Sequence, residues 1–354
     1  MEKWEKRPWI DVTCSYIPVE IIHAAGFTPR RVVFPVEVKN KAFSPASLPV
    51  NFCSYVKACL HPNDAAGIVF TTCCDSMRRG YDLITTCKKP AFLLDLPRSL
   101  TSRTTDYYQE QLLHLANWLV EIGGKPVTRE SLANSMTLYN NLKYQLNNHL
   151  QESNNIWEFV LEKQKLIQAF LTTSPEEVLK QLKVNFWAAG LKEKGASSLK
   201  KIPILLSGTT LPEVSILTNL MESNFNLVAL DFCGEARFTP LADNFSFSAN
   251  FFELLKDLTL TYLNKPPCPR MVFQERRAAY LANLLLSSKA KGVIYYSLKF
   301  CDHGLYEVPL WRRICQQQKT AFLHLETEYQ SSISGQLGTR LQAFKEAIQG
   351  RFLT

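Results

Sequence analysis

The stretch Gly67-Ile68-Val69-Phe70-Thr71-Thr72-Cys73-Cys74-Asp75-Ser76-Met77-Arg78-Arg79 decides the fold. Its first four residues form a short uninterrupted apolar run, which reads as a buried strand. Two threonines and two cysteines end the run, and Asp75 or Thr72 is expected to cap a helix beginning near Ser76. A cysteine there stands at the carboxyl end of a strand and beside a helix N-terminus. That is where open α/β sheets bind their ligands, and the free N–H groups and the helix dipole favour a thiolate.

The same alternation extends in both directions. Ser15-Tyr16-Ile17-Pro18 reads as a turn into a helix whose apolar side is Val19, Ile22, His23 and Ala25, with Gly26 as its stop. Arg31 to Pro35 reads as a strand and residues 40–50 as a polar, proline-bearing loop. Asn51-Phe52-Cys53-Ser54 leads into a short helix ending near His61, so Cys53 lies by a second helix N-terminus. A helix over 76–85 and the strand Ala91 to Asp95 complete a pattern that signifies a parallel sheet. From 106 to 195 the character changes. Tyr107, Leu112, Leu115, Leu119 and Ile122 recur at helical spacing, Gly123-Gly124 breaks that helix, and 128–195 reads as several more. Gly190 to Ser197 has the glycine spacing of a phosphate loop but lacks its lysine and a preceding strand.

Strands are expected again at 202–208, 227–231, 292–297 and 321–326, with helices at 211–221, 276–288, near 307–317 and from Gly335 onward. Residues 236–250 read as a loop, and Lys265-Pro266-Pro267-Cys268-Pro269 as a rigid connector. Cys301-Asp302 falls just past the strand at 292–297. The organisation predicted is an N-terminal α/β lobe over 1–105, a helical connector over 106–200 and a C-terminal α/β lobe over 201–354.

Composition narrows the function classes. The 354 residues suffice for two lobes with a core each. The net charge of +8 is carried by scattered basic residues, with no stripe suited to nucleic acid. Met1 to Arg7 lacks the apolar segment of a secretory signal, and no apolar run approaches the roughly 18 residues of a spanning helix, so no membrane is expected and a cytoplasmic location is. Ten cysteines in a reducing compartment point towards metal or redox use rather than disulfides. If the two lobes face each other through the carboxyl ends of their sheets, Cys53, Cys74 and Cys301 converge. Soft thiolates so placed suit an iron–sulfur cluster or zinc.

Five local words occur in order: Ser15-Tyr16-Ile17-Pro18 with Glu20 and Ala24-Ala25-Gly26; Phe52-Cys53-Ser54-Tyr55; Cys74-Asp75-Ser76-Met77-Arg78-Arg79; Lys299-Phe300-Cys301-Asp302; and Gly335-Gln336-Leu337-Gly338-Thr339-Arg340 with Ala343-Phe344. Together they resemble the 2-hydroxyacyl-CoA dehydratase family, which includes core subunits of benzoyl-CoA reductase, over nearly the whole chain. The resemblance implies two Rossmann-like, flavodoxin-like lobes joined by helices, with a [4Fe–4S] cluster between them on Cys53, Cys74 and Cys301 and one iron position left open. It implies a related second subunit, or a second copy of this chain, and an ATP-hydrolysing iron–sulfur activator that delivers one electron. The reaction implied removes water from a 2-hydroxyacyl-CoA to give a 2-enoyl-CoA: the reduced thioester carbonyl, a ketyl radical, expels the 2-hydroxyl, a β-proton leaves and the electron returns.

Alternatives stay open beside this. The chain could serve a benzoyl-CoA-type reductase, a double-cubane ATP-dependent reductase, or a non-catalytic electron relay. Cys73 adjoins Cys74, so either can be the ligand, with Asp75-Ser76 favouring Cys74, and Gly338 stands where the pattern has a basic residue. Ser15 is expected to donate to the open iron ligand or substrate oxygen, or else to cap a helix, and Tyr16 to face the substrate beside it. Glu20 is an acid or base near the thioester, or a solvated first-turn glutamate. Arg78 and Arg79 hold CoA phosphates or dock the activator, or form a surface pair. Arg340 reaches a carboxylate or ligand, or makes an ordinary ion pair. Asp75 and Asp302 read as caps. Cys59, Cys87, Cys233, Cys268 and Cys315 read as core residues, or as ligands of an enlarged cluster.

Overall fold

The computed structural model of the chain describes residues 7–32, 48–49, 51–60, 63–152, 173–179, 201–209, 223–233, 250–270, 274–327 and 335–351. The expected helix at 211–221, the glycine-spaced segment 190–197, most of the loops at 40–50 and 236–250, and the connector over 153–172 and 180–200 lie outside the described residues. The chain divides into two compact units. One comprises residues 1–147, 168–179 and 238–265; the other comprises 148–167, 180–237 and 266–354.

The first unit is built on four parallel strands: β1 (Trp9–Val12), β2 (Thr28–Arg31), β3 (Gly67–Thr71) and β4 (Ala91–Leu94), in the spatial order β2-β1-β3-β4. All five residues of β3 are buried, as a strand covered on both faces must be. Helices α1 (Val19–Ala24), α2 (Ser54–Cys59), α3 (Asp75–Thr86), α4 (Thr104–Glu121), α5 (Arg129–Glu152) and α6 (Phe251–Leu263) complete the unit. On one face Trp118 of α4 packs on Phe92 of β4, with ring centroids 5.5 Å apart. On the other, α3 comes so close at Gly80 that a Cβ would lie 2.9 Å from the Phe70 ring. Gly26, at φ +91°, stops α1 as expected.

Several sequence expectations are corrected here. The edge strand β2 occupies Thr28–Arg31 and so begins before the expected 31–35, of which 33–35 lie outside the described residues; an edge strand tolerates Pro29, which has no N–H to donate. Helix α6 follows the loop around 250 unannounced. Its cap, Asn250, accepts from Glu253 N–H while Glu253 reaches back to Asn250 N–H, a reciprocal capping box.

Buried charge ties α1 to the helices around it. Glu20 is fully buried and accepts from Lys143 Nζ on α5 at 2.7 Å and from Tyr262 OH on α6 at 2.7 Å. Burial alone would push its carboxyl up; the charge and hydrogen bond of Lys143 overcome this and hold it below the usual range. On the same helix, His23 Nδ1 pairs with Ser135 Oγ at 2.7 Å and Nε2 with Glu176 at 3.0 Å.

The second unit repeats the design. Parallel strands β5 (Ile202–Gly208), β6 (Phe225–Asp231), β7 (Gly292–Leu298) and β8 (Ala321–Thr327) stand in the order β6-β5-β7-β8, with α7 (Gln274–Ser288), α8 (Asp302–Gln317) and α9 (Gly335–Arg351). Helix α8 starts five residues earlier than the sequence suggests. Its core joins Leu205, Leu281, Val293, Tyr295, Trp311 and Ile314. Arg277 of α7 engages all five guanidinium N–H groups: on Glu307 of α8 at 2.6 and 3.0 Å, on both oxygens of Asp231 at the end of β6, and on Pro267 O at 3.0 Å. Ser207 Oγ joins this set through Asp231 at 3.2 Å and receives Trp311 Nε1 at 3.2 Å. Among the described residues no helix is long and apolar enough to cross a membrane.

The buried charges can be tested by unfolding. Lys143→Met leaves Glu20 in the core without its cation and is expected to cost about 3–5 kcal/mol in urea unfolding, part of which Glu20→Gln in the same chain restores. A loss well below about 1 kcal/mol would show that the pair contributes little. For Glu176, burial pushes the carboxyl up, but the hydrogen bond from His23 and the nearby His23 and Arg7 charges bring it down to about 2. Its contribution is therefore complete above pH 4.5 and is lost as pH falls towards 2. Thermal melts across that window should fall less steeply for Glu176→Gln than for the wild-type chain.

Candidate functional site

In a parallel sheet ordered β2-β1-β3-β4, the connections leaving β1 and β3 part to opposite faces, and a crevice opens at the carboxyl edge between those strands. The two loops on its lips carry Cys14-Ser15-Tyr16 after β1 and Thr72-Cys73-Cys74 after β3. The second unit has the equivalent lips after β5 and β7, and Cys301 follows β7.

All three cysteines expected as ligands occupy the same structural position. Cys53 is the N-cap of α2, Cys74 that of α3 and Cys301 that of α8, each with extended ψ (124°, 169° and 94°) and none making a side-chain capping bond. N-caps are normally Ser, Thr, Asp or Asn, whose side-chain oxygen accepts a helix N–H. A thiol there leaves those amides and the positive end of the dipole acting on sulfur. The caps expected from sequence are corrected accordingly: Asp75 and Asp302 are first helical residues, the N-cap position of α1 is Pro18 and not Ser15, and Thr72 is otherwise engaged. Thr72 Oγ1 donates to Asp95 and accepts Leu96 N–H at 3.0 Å, while Tyr107 OH donates to the other oxygen of Asp95. This clasp fixes the cysteine loop to the end of β4.

The vicinal cysteines differ. Cys74 heads α3. Cys73 lies beside Cys14 on one side and Cys74 on the other. The contact with Cys73, together with burial, pushes the Cys14 thiol well up. The contact with Cys14 pulls Cys73 the other way, but its contact with Cys74 and burial prevail and hold it high as well. Cys14 was not singled out by sequence; its signal is its place on the lip facing the Cys73-Cys74 loop. The five other cysteines are not uniform core residues. Cys59, Cys268 and Cys315 are buried, whereas Cys233 is half-buried and Cys87 exposed at the end of α3.

In the second unit the turn into α8 is tight. Phe300 takes the left-handed conformation at φ 61°, and Gly304 sits where a Cβ would lie 2.5 Å from Thr209 Cγ2 and 3.6 Å from Cys301 Sγ. Phe300, Leu305 and Tyr306 are exposed around Cys301.

The other candidates are distributed as follows. Ser15 is half-buried on the β1 lip, where Lys265 Nζ donates to its carbonyl at 2.9 Å. Tyr16 turns its ring into the core, 2% exposed, and its carbonyl accepts Tyr108 OH. Glu20 is enclosed by Lys143 and Tyr262, so it is not a solvated glutamate. Arg78 is exposed on α3, and Arg79 pairs with Asp82 at 2.7 Å. Arg340 is exposed and donates to His324 O on β8. Among the described residues no three or more His, Cys, Asp or Glu side chains gather around a single ion. The donor set nevertheless suits a soft, sulfur-bound group, since its members are thiols at helix ends with their sulfurs uncommitted to capping.

The chain is 21% identical to a benzoyl-CoA reductase subunit of Thauera aromatica, over 94% of this chain and 89% of that one. It is 21% identical to the (R)-phenyllactyl-CoA dehydratase beta subunit of Clostridium sporogenes, over 94% and 90%. It is 22% identical to the beta subunit of (R)-2-hydroxyglutaryl-CoA dehydratase of Acidaminococcus fermentans, again over 94% and 90%. The family profile described as 2-hydroxyglutaryl-CoA dehydratase, D-component, matches residues 14–348, from the first cysteine of the β1 lip to the last helix, and the chain belongs to that family.

Proposed function

We propose that this chain is an iron–sulfur core subunit of a cytoplasmic 2-hydroxyacyl-CoA dehydratase, converting a 2-hydroxyacyl-CoA into the 2-enoyl-CoA and water. It pairs with a related subunit or with itself and receives an electron from an ATP-hydrolysing iron–sulfur activator. The observation that carries the reading is the recurrence of cysteine, at Cys53, Cys74 and Cys301, as an N-cap that does not cap. These three residues hold a [4Fe–4S] cluster. When bound, the cluster supplies one-electron transfer and a Lewis-acidic position for the thioester.

The chain's own residues do the rest. Ser15 Oγ, on the β1 lip, donates to the substrate oxygen. Lys265, Tyr108 and Tyr262 fix that lip through Ser15 O, Tyr16 O and Val19 N–H. Tyr16 shapes the floor of the crevice with its backbone. Glu20 serves the turn by fixing Tyr262 and Lys143, and so acts as a positioning residue. Arg78, free to extend from α3, meets the phosphates of CoA, and Arg340 contacts the acyl-CoA from the second unit. A second reading, a reductase of the benzoyl-CoA type, is favoured by the similarity to the benzoyl-CoA reductase subunit.

Anaerobic purification, with iron and acid-labile sulfide measured per chain, tests the proposal. About four of each are expected, and Cys74→Ala should abolish them. About eight iron would instead indicate a double-cubane reductase, and none after reconstitution would remove the cluster from the account. Gly304→Ala forces Thr209 or the start of α8 to move. We expect it to cost about 1–3 kcal/mol and to reduce iron loading through displacement of Cys301. Full loading at reduced stability would separate Gly304 from the metal site.

A further inference from the structure

Three hydroxyls of β5, β7 and the chain just past β5 lie against α8, and two of them are hydrogen-bonded. Ser207 Oγ on β5 donates to Asp231 and receives Trp311 Nε1, each at 3.2 Å. Ser297 Oγ on β7 pairs with His324 Nε2 at 2.7 Å. The third, Thr209 Oγ1, follows the end of β5; it is buried and has no hydrogen-bond partner among the described residues. The backbone of Thr209 is held from two sides. Its N–H donates to Tyr296 O at 3.2 Å and its carbonyl accepts Cys233 N–H at 3.1 Å, which ties it to β7 and to the turn after β6. Its methyl presses on the first turn of α8: a Cβ at Gly304 would lie 2.5 Å from Thr209 Cγ2 and 3.6 Å from Cys301 Sγ. A β-branched side chain is stiff at χ1, so a fixed methyl fixes the hydroxyl with it. Packing does not require that hydroxyl, since valine has nearly the same shape. A buried polar group left unpaired loses the hydrogen bonds it had in water, which calls for a reason.

We propose that Thr209 Oγ1 is the hydrogen-bond donor that this chain presents to the iron–sulfur group held on Cys301, and that its O–H, given to a sulfur of that group, raises the group's reduction potential. The inference rests on the reading above, in which Cys301 is a ligand. A metal-bound sulfur can only accept, whereas a threonine hydroxyl can turn its proton towards an acceptor, so the direction of the contact is set by chemistry. A hydrogen bond to sulfur withdraws charge and favours the more electron-rich, reduced state. Thr209 acts in this way as a positioning residue and not as a ligand. The same hydroxyl is then unfavourable in the iron-free chain and favourable in the loaded one, and these two effects can be measured separately.

The test uses the full chain, purified without oxygen, and compares the wild type with Thr209→Val and Thr209→Ser. In the iron-free chain Thr209→Val should melt at the wild-type temperature or above it, because it removes a hydroxyl that has no partner. A lower melting temperature would show that the protein itself satisfies the hydroxyl, and would overturn the proposal. After reconstitution, Thr209→Val should keep the wild-type iron content but titrate at a more negative midpoint in an EPR-monitored redox titration. Thr209→Ser, which retains the O–H, should return the midpoint towards wild type. A loaded Thr209→Val chain with the wild-type midpoint would overturn the proposal while leaving the cluster assignment standing. A wild-type chain that takes up no iron would overturn the proposed function and this inference with it.

Discussion

Parallel strands send every chain exit to one edge, and this constraint organises each unit. With β1 and β3 adjacent and their connections parting to opposite faces, the carboxyl edge is the place where loops meet without secondary structure filling the space. Each helix that starts there also begins with unpaired amides. A serine or aspartate at the cap would satisfy one of them and contribute about 0.5–2 kcal/mol. Cys53, Cys74 and Cys301 forgo that contribution. Local stability is thus set aside at three helix starts that all carry the same soft nucleophile, a pattern that helix formation alone does not explain.

What offsets weak caps is burial and charge further along the same helices. In α8 the first turn is uncapped by its side chain, yet Glu307 and Trp311 anchor the next turns to Arg277 and Ser207. In the first unit the lip at Ser15-Tyr16 has little structure of its own, and it is fixed from below by Lys265, Tyr108 and the Glu20 network. These ion pairs are costly to bury and costly to break. Their role is to specify where a loop sits more than to add net stability.

How much of this could be read from sequence depended on what each segment asks of its residues. The strands β3, β5 and β7 were legible because a strand covered on both faces must be a largely continuous apolar run. Helix α8 extends ahead of the expected 307–317 and takes in both Gly304 and Pro309. Gly304 is there because of the close approach of Thr209, and Pro309 sits inside the helix all the same. Helix α6 carried a legible signal, the Asn250–Glu253 box, but its membership of the first unit is set by long-range packing that no local pattern encodes. Cys74 and Cys301 were legible as strand-end residues, and Cys53 as one that precedes a helix. Their common position as caps was not, because Asp75 and Asp302 are the better cappers by type and stand one residue too late.

The contrast between Cys73 and Cys74 shows why spacing alone could not rank them. Two consecutive residues leaving a strand point to different sides of the chain. Here one side leads to the head of α3 and the other inward to Cys14. At Cys73 the contact with Cys14 lowers the cost of a negative sulfur, but the contact with Cys74 and desolvation raise it and prevail. The two adjacent thiols thus meet different surroundings, and Cys14, which lies 59 positions before Cys73 in the chain, is brought to this edge of the sheet because β1 pairs with β3.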